Sequence, residues 1–494
     1  MGIAILFLAV IFLDRLTGFF NNIFNFFSGV RSCLSNSKED EKQKFKEIHT
    51  RGVLNAVGQK KPEKRTYAYL YQELSRHHSE DIKRAKNKYF QVNPIYFQKT
   101  LSGVNLDIKD KSLYSYPLFY KKSWIRSMSK GRFGVSLTPL DLGYLERELG
   151  HEDSDNAKGH ELGGGKGKQF LKHFGISDYV DFLRKDCEMG DNFWDQDTYD
   201  IFKVREVSDG IVLSCCSGSY FNFIKTYELC QKEFYYNHAH RKNTFVLRKA
   251  IKFNFLEDFR KRPAKVGLNV FLIMKRKDGG YSTFLQQRSD RLMEYPGYLG
   301  VVPSGTFQPM SAVRGAYEEY SFAYSIFREL LEEFFKLEGA VKTYDGGDPL
   351  GIFCLPVEKK SLKQVFPGKY FLEGNPNLKK LSTKNYEIIP TGFFIDISSF
   401  KPELTFILHI KTPELHNIVQ KYLLSSWEGG IVEYDLAGNM GGGDFFEKFL
   451  RIHLNNGKTV PAGAVAICEG MRWYLDNLAK DFPIESKKFL RGKK

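Results

Sequence analysis

The sequence predicts an α+β sandwich in its C-terminal half, and three observations predict it. A strand pair lies across KDGG (residues 277–280), a helix follows a Pro/Gly-rich loop, and two further strands lead to a closing helix. Strands, a helix, more strands and a last helix are the order in which a sheet is covered by helices. At 494 residues the chain exceeds one ordinary core, so a second folded unit and appendages are expected. With 42% hydrophobic and 15% aromatic residues there is enough apolar surface to fill both, which excludes a disordered chain.

The first element is MGIAILFLAVIFLDRLTGFFNNIFNFFSGVRS, residues 1–32, a hydrophobic membrane segment. Its uncharged run from Gly2 to Leu13 would span about 18 Å as a helix, short of the roughly 30 Å of a hydrocarbon core. A full span must take in Asp14 and Arg15, so one tilted span and a short insert with an interfacial helix both remain open. A cleaved signal peptide fits poorly, because no basic stretch precedes the apolar run. Basic residues follow the segment, which places the body in the cytoplasm of a bacterial inner membrane under the positive-inside rule.

Residues 33–65 read as a basic linker with helical tendency. Much of the net charge of +15 lies in Lys38–Arg65 and in the tail 484–494; anionic membrane lipid is the expected partner. Nucleic acid is not expected, since no known motif interleaves these charges with aromatics.

Residues 66–258 form an α/β middle domain. A helix is expected over TYAYLYQELSRHHSEDIKRAKNKYF, with His77 and His78 on its surface, and a hairpin over 197–234 turns at SDG. GGGKGKQ (163–169) invites a phosphate loop but fails its spacing, with Leu162 where the first glycine belongs and Gln169 where Ser or Thr should follow. A flexible loop is the simpler reading. His238 and His240 lack further ligands at metal spacing, and seven cysteines form no CxxC pair, as expected of free thiols.

Residues 259–483 carry the chemistry. Leu268, Val270, Leu272 and Met274 alternate and should pair with Phe284 and Leu285 across KDGG. LMEYPGYLGVVPSGTFQP follows, then SIFRELLEEFF (325–335). At 100° per residue Glu329, Glu332 and Glu333 share an arc of about 100°, opposite Phe327, Leu330, Leu331 and Phe334. An amphipathic helix with solvated acids gives the same pattern. Three carboxylates on one face repel unless a cation offsets them, and an all-oxygen set suits Mg²⁺ or Mn²⁺ bridged to substrate phosphates. Strands over 386–411 and a helix over 464–482 complete the order. Trp427 and Glu428 of SSWEGG read as a loop anchored by a buried Trp.

RELLEE (328–333), with LQQRS and PSGTF ahead of it, resembles the second half of the box of the Nudix hydrolases. The resemblance covers roughly 260–482. It implies a Nudix-like α/β/α sandwich that binds a diphosphate linked to another moiety. Catalytic and metal-binding roles would fall to Glu329, Glu332 and Glu333, with Arg328 bracing the loop through an ion pair. Arg288, Gly305 and Glu319 are the candidate substrate-binding residues. The sequence departs from the family where Tyr320 stands at its upstream glutamate, with Glu318 and Glu319 just before, and where Phe335 replaces its last glycine. Together with the apolar N-terminus, the order is similar to membrane-anchored Nudix effectors of bacterial cyclic-oligonucleotide (CBASS) antiviral systems. That resemblance implies a nucleotide or cyclic-oligonucleotide ligand. Two functions stay open: Mg²⁺-dependent hydrolysis of a phosphoanhydride, or an inactive nucleotide sensor that signals through the membrane segment. A homo-oligomer is open as well.

Overall fold

The computed structural model describes residues 38–49, 90–91, 118–125, 133–139, 165–187, 195–240, 242, 245–250, 259, 264–289, 295, 297–308, 321–335, 377–378, 381–422, 429–436 and 459–479. The apolar segment 1–32, the tail 484–494, His77, His78, Glu319, Trp427 and Glu428 lie outside them. No helix among the described residues is long and apolar enough to cross a membrane. The chain is a mixed α/β protein, with two sheets among the described residues.

The strands are β1 (Phe90–Gln91), β2 (Leu118–Tyr120), β3 (Gly134–Pro139), β4 (Asp197–Val207), β5 (Gly210–Ser219), β6 (Gly267–Lys275), β7 (Tyr281–Arg288), β8 (Leu299–Val301), β9 (Ser304–Thr306), β10 (Asn377–Leu378), β11 (Leu381–Ser382), β12 (Tyr386–Asp396), β13 (Lys401–Ile410) and β14 (Gly429–Asp435). The longer helices among the described residues are α1 (residues 38–49), α2 (Gly167–His173), α3 (Leu229–Ala239), α4 (Phe322–Phe335), α5 (Pro413–Tyr422) and α6 (Pro461–Asn477).

The larger sheet runs β1-β2-β12-β13-β6-β7-β14, with β11 beside β12, β8 beside β7 and β9 beside β6. Its centre is a parallel pair, β13 and β6, and all of β12 and β13 is buried, as strands covered on both faces should be. Phe406 on β13 meets Phe322 of α4, and Phe284 on β7 meets Phe334 of α4 and His416 of α5. On the other face Tyr281 meets Tyr474, His409 meets Trp473 and Phe271 lies against Gly470, all on α6. Side chains three apart on β7 and β13, Tyr281 with Phe284 and Phe406 with His409, point to opposite faces of a pleated strand. The sheet therefore lies between α4 and α5 on one side and α6 on the other.

The smaller sheet is β10-β3-β5-β4. Its β4/β5 hairpin turns at Ser208-Asp209, where Gly210 has φ +155°. It joins the larger sheet where the Tyr199 N–H donates to the Phe307 carbonyl and the Ile201 N–H to that of Ala264. The two halves of the chain also lend each other strands, since β2 runs along β12 and β10 along β3. One connected core results.

Two expectations meet a different geometry. Across KDGG only Met274 with Ser282 and Lys275 with Tyr281 are paired. Beyond them the strands splay, because β9 takes the start of β6 and β8 the end of β7; Leu268 faces Gly305, and Leu285 faces Val301 and Val432. The GGGKGKQ stretch, expected as a loop, is helical from Gly165, with Phe170 and Leu171 buried as its anchor. Residues 38–49 of the linker are helical too, and docked: Phe45 stacks on Phe174 at 4.4 Å, Ile48 is buried, and His49 Nε2 meets the Tyr179 hydroxyl at 2.8 Å.

Candidate functional site at the α4 carboxylate face

The splayed hairpin positions the site. The segment 299–306 wedges between β6 and β7 and brings Ser304, Gly305 and Thr306 against β6 as a short strand. Val270 ties this wedge in by donating its N–H to the Pro303 carbonyl at 3.1 Å. The helix α4 then crosses over β9. Its apolar stripe, Phe327, Leu330 and Phe334, is buried in the core; that burial turns the opposite, acidic face onto the wedge.

This face is not solvated. Arg328 is 4% exposed, Glu329 9% and Glu333 2%, whereas charged side chains on an ordinary amphipathic helix stay in water. The carboxylate of Glu329 sits where a Cβ on Gly305 would be, so residue 305 must lack a side chain for the two to meet. Glu333 accepts from the Ser304 N–H at 3.1 Å. Arg328 donates to the Thr306 carbonyl at 3.2 Å and to the Glu329 carboxylate, and its other terminal nitrogen lies 3.7 Å from Glu332. Ser304, Gly305 and Thr306 of β9 thus meet Glu333, Glu329 and Arg328 of α4 in turn. Arg328 reaches β9 through the hydrogen bond to the Thr306 carbonyl, while both of its ion pairs, with Glu329 and Glu332, stay within α4.

Three carboxylates and one guanidinium leave the cluster with a net negative charge where burial makes charge costly. A hard cation with oxygen ligands would offset it, and Mg²⁺ needs only one or two carboxylates when substrate phosphates complete its shell. The donor chemistry fits. The Ser304 hydroxyl, buried without a hydrogen-bond partner among the described residues, is a further oxygen beside the acids. Among the described residues no three His, Cys, Asp or Glu side chains converge to hold a metal by themselves, so substrate oxygens would have to complete the site.

Other predicted residues fall elsewhere. Arg288 ends β7, its stem 3.6 Å from the position of a Cβ on Gly300 and its N–H donating to the Tyr298 carbonyl; it belongs to the β7–β8 corner against Val460. Cys187, Cys215, Cys216, Cys230 and Cys468 form no disulfide among the described residues. His240 packs its ring 4.9 Å from Tyr236.

Three features escaped the sequence reading. Ser304 carries no spacing signal of its own within PSGTF. Asn269, facing Ser304 across the β6–β9 pair, donates to Glu403 at 2.8 Å, and that carboxylate fills the place of a Cβ on Gly267. Beside the wedge, Tyr295 donates to the buried Asp396, whose carboxyl burial pushes up from the usual carboxylate range. No spacing in the chain signals Glu403 or Asp396, because each finds its partner across more than a hundred residues. Comparison with protein-family models finds no match, and a search of the curated proteins finds no relative.

Proposed function

We propose that this chain is a Nudix-like, Mg²⁺- or Mn²⁺-dependent hydrolase of a phosphoanhydride in a nucleoside diphosphate derivative, held at a membrane by residues 1–32. The observation that carries the reading is the meeting of the RELLEE face with PSGT: Glu329 on Gly305, Glu333 on the Ser304 N–H, Arg328 on the Thr306 carbonyl. An acid cluster that only decorated a helix would need no side-chain-free strand position beneath it.

In this reading Arg328 fixes the height of β9 against α4 and holds Glu329 and Glu332 in place through its two ion pairs. The Ser304 N–H fixes Glu333, and the Ser304 hydroxyl, buried without a hydrogen-bond partner among the described residues, offers a further oxygen beside the acids. Glu329, Glu332 and Glu333 would hold the cation, which would neutralise the diphosphate and lower the barrier to attack by water at phosphorus. The acids also offer an acceptor for the proton of that water.

A second reading has its own support. Arg328 already pairs with Glu329 and Glu332, which lowers the charge left for a metal and suits a site that binds a nucleotide, cyclic oligonucleotides included, and signals through the membrane segment without turnover. A defence effector of the CBASS kind fits this version. The full-length protein assayed with Mg²⁺ or Mn²⁺ over a panel of nucleoside diphosphate derivatives and cyclic oligonucleotides separates the two. Metal-dependent turnover that Glu332→Gln abolishes supports the hydrolase, and turnover unchanged by it overturns that assignment. Binding by calorimetry without turnover supports the sensor.

A further inference from the structure

We propose that the exposed face of α2 is the surface by which the body of the protein lies on an anionic lipid bilayer; the inference rests on the reading of residues 1–32 as a membrane segment. Residues 165–177, GKGKQFLKHFGIS, hold three lysines and no acid. Lys168 and Lys172 are one helical turn apart and so share a face, with Lys166 exposed beside them. Beneath them Phe170, Leu171 and Phe174 are buried, which fixes the outward direction of the lysines. Among the described residues no ion pair engages any of the three.

The basic linker is the obvious rival for this role, and its described part does not carry it. In α1 four lysines are matched by four acids, and Lys42 is held by Asp186 at 3.0 Å and Lys44 by Asp40 at 2.5 Å. Charge without a local counterpart lies instead on α2, which is packed directly against α1 through Phe45 on Phe174 and Phe170. Only five residues, 33–37, separate the membrane segment from α1, and they reach at most about 18 Å. A segment anchored at residue 32 therefore delivers α1, and α2 with it, to the headgroup region. There the tether supplies a high local concentration, and cationic side chains within a Debye length of about 10 Å are attracted to anionic lipid. Nucleic acid is the less favoured partner, because the described face exposes no Phe, Tyr or Trp on which a base could stack.

The test is amine-reactive labelling of the full-length protein, read by mass spectrometry at Lys166, Lys168 and Lys172. It is run with vesicles of phosphatidylcholine alone and of phosphatidylcholine mixed with phosphatidylglycerol, beside flotation of the same samples. The protein is expected to float with both vesicles, with the three lysines protected only on the anionic ones and exposed again at high salt. Replacing all three by Gln should lower the preference for anionic vesicles by about a hundredfold, roughly fivefold per lysine. Flotation with both vesicles and equal labelling on both overturns the α2 surface while leaving the tether intact. Flotation with neither overturns the tether and this surface together. Protection by a duplex oligonucleotide but not by anionic vesicles reassigns the face to nucleic acid.

Discussion

On the two faces of the larger sheet a helix crosses a strand at a glycine, and the two contacts are opposites. At α6 the glycine is on the helix: Gly470 receives the ring of Phe271 from β6. At α4 it is on the strand: Gly305 of β9 receives the carboxylate of Glu329. The first contact removes apolar surface from water and stabilises the fold by the ordinary route. The second places charge against backbone, which costs desolvation that the Arg328 pair with Glu329 offsets. Close approach is used once to seal and once to hold a polar group in place; costly arrangements of the second kind are where function is to be sought.

The largest effect should come from removing the cation of the polar contact. Arg328→Met leaves Glu329 and Glu332 facing one another without their partner, and unfolding in urea should show a loss of about 3 to 5 kcal/mol. A variant as stable as the parent would mean that the pairs do not balance the cluster. Next comes the apolar contact. Gly470→Ala gains about 1 kcal/mol of helix propensity but drives a methyl into the packed ring of Phe271, for a net loss of about 1 to 3 kcal/mol. Shortening the neighbour in the same chain, Phe271→Leu, should recover part of it. Gly305→Ala inverts the pattern. A carboxylate at the end of a flexible side chain can swing aside, so the stability change should stay below about 1 kcal/mol, while nucleotide turnover or binding falls at least tenfold. Equal stability losses at the two glycines would erase the distinction between the faces.

The polar face should also titrate. On the α4 and α5 side, His416 at 2.7 Å holds the Glu433 carboxyl down to about 2, with Gln420 adding a bond. A carboxyl depressed on folding contributes stability above its unfolded value, and that contribution is lost as pH falls through about 4.5 towards 2. Thermal melts over that window should fall less steeply in Glu433→Gln; identical slopes would remove Glu433 from the acid response.

How much of this was legible depends on how far each residue reaches. The KDGG turn, the SDG turn and the strands 386–396 and 401–410 could be read because alternation and turn residues are local. The wedge 299–306 could not: two three-residue strands flanked by Pro and Gly carry the composition of a loop, and only pairing with β6 and β7 makes them strands. The docking of α1 was hidden because Phe45 and Ile48 sit among lysines and glutamates, and their partners Phe174 and Phe182 lie well over a hundred residues away. For the site, spacing revealed that three glutamates share a face. It could not reveal that the face is buried, since that depends on residue 305 having no side chain.

The most direct test of the α4–β9 cluster as a functional site is titration of the full-length protein with Mn²⁺, followed by electron paramagnetic resonance, beside Glu332→Gln and Glu333→Gln. A saturable Mn²⁺ signal is expected, strengthened by a bound nucleoside diphosphate derivative and weakened at least tenfold in both variants while their melting temperatures stay near the parent's. Mn²⁺ binding of equal strength in parent and variants, with nucleotide and without, would contradict it and leave the carboxylates as a buttress between α4 and β9.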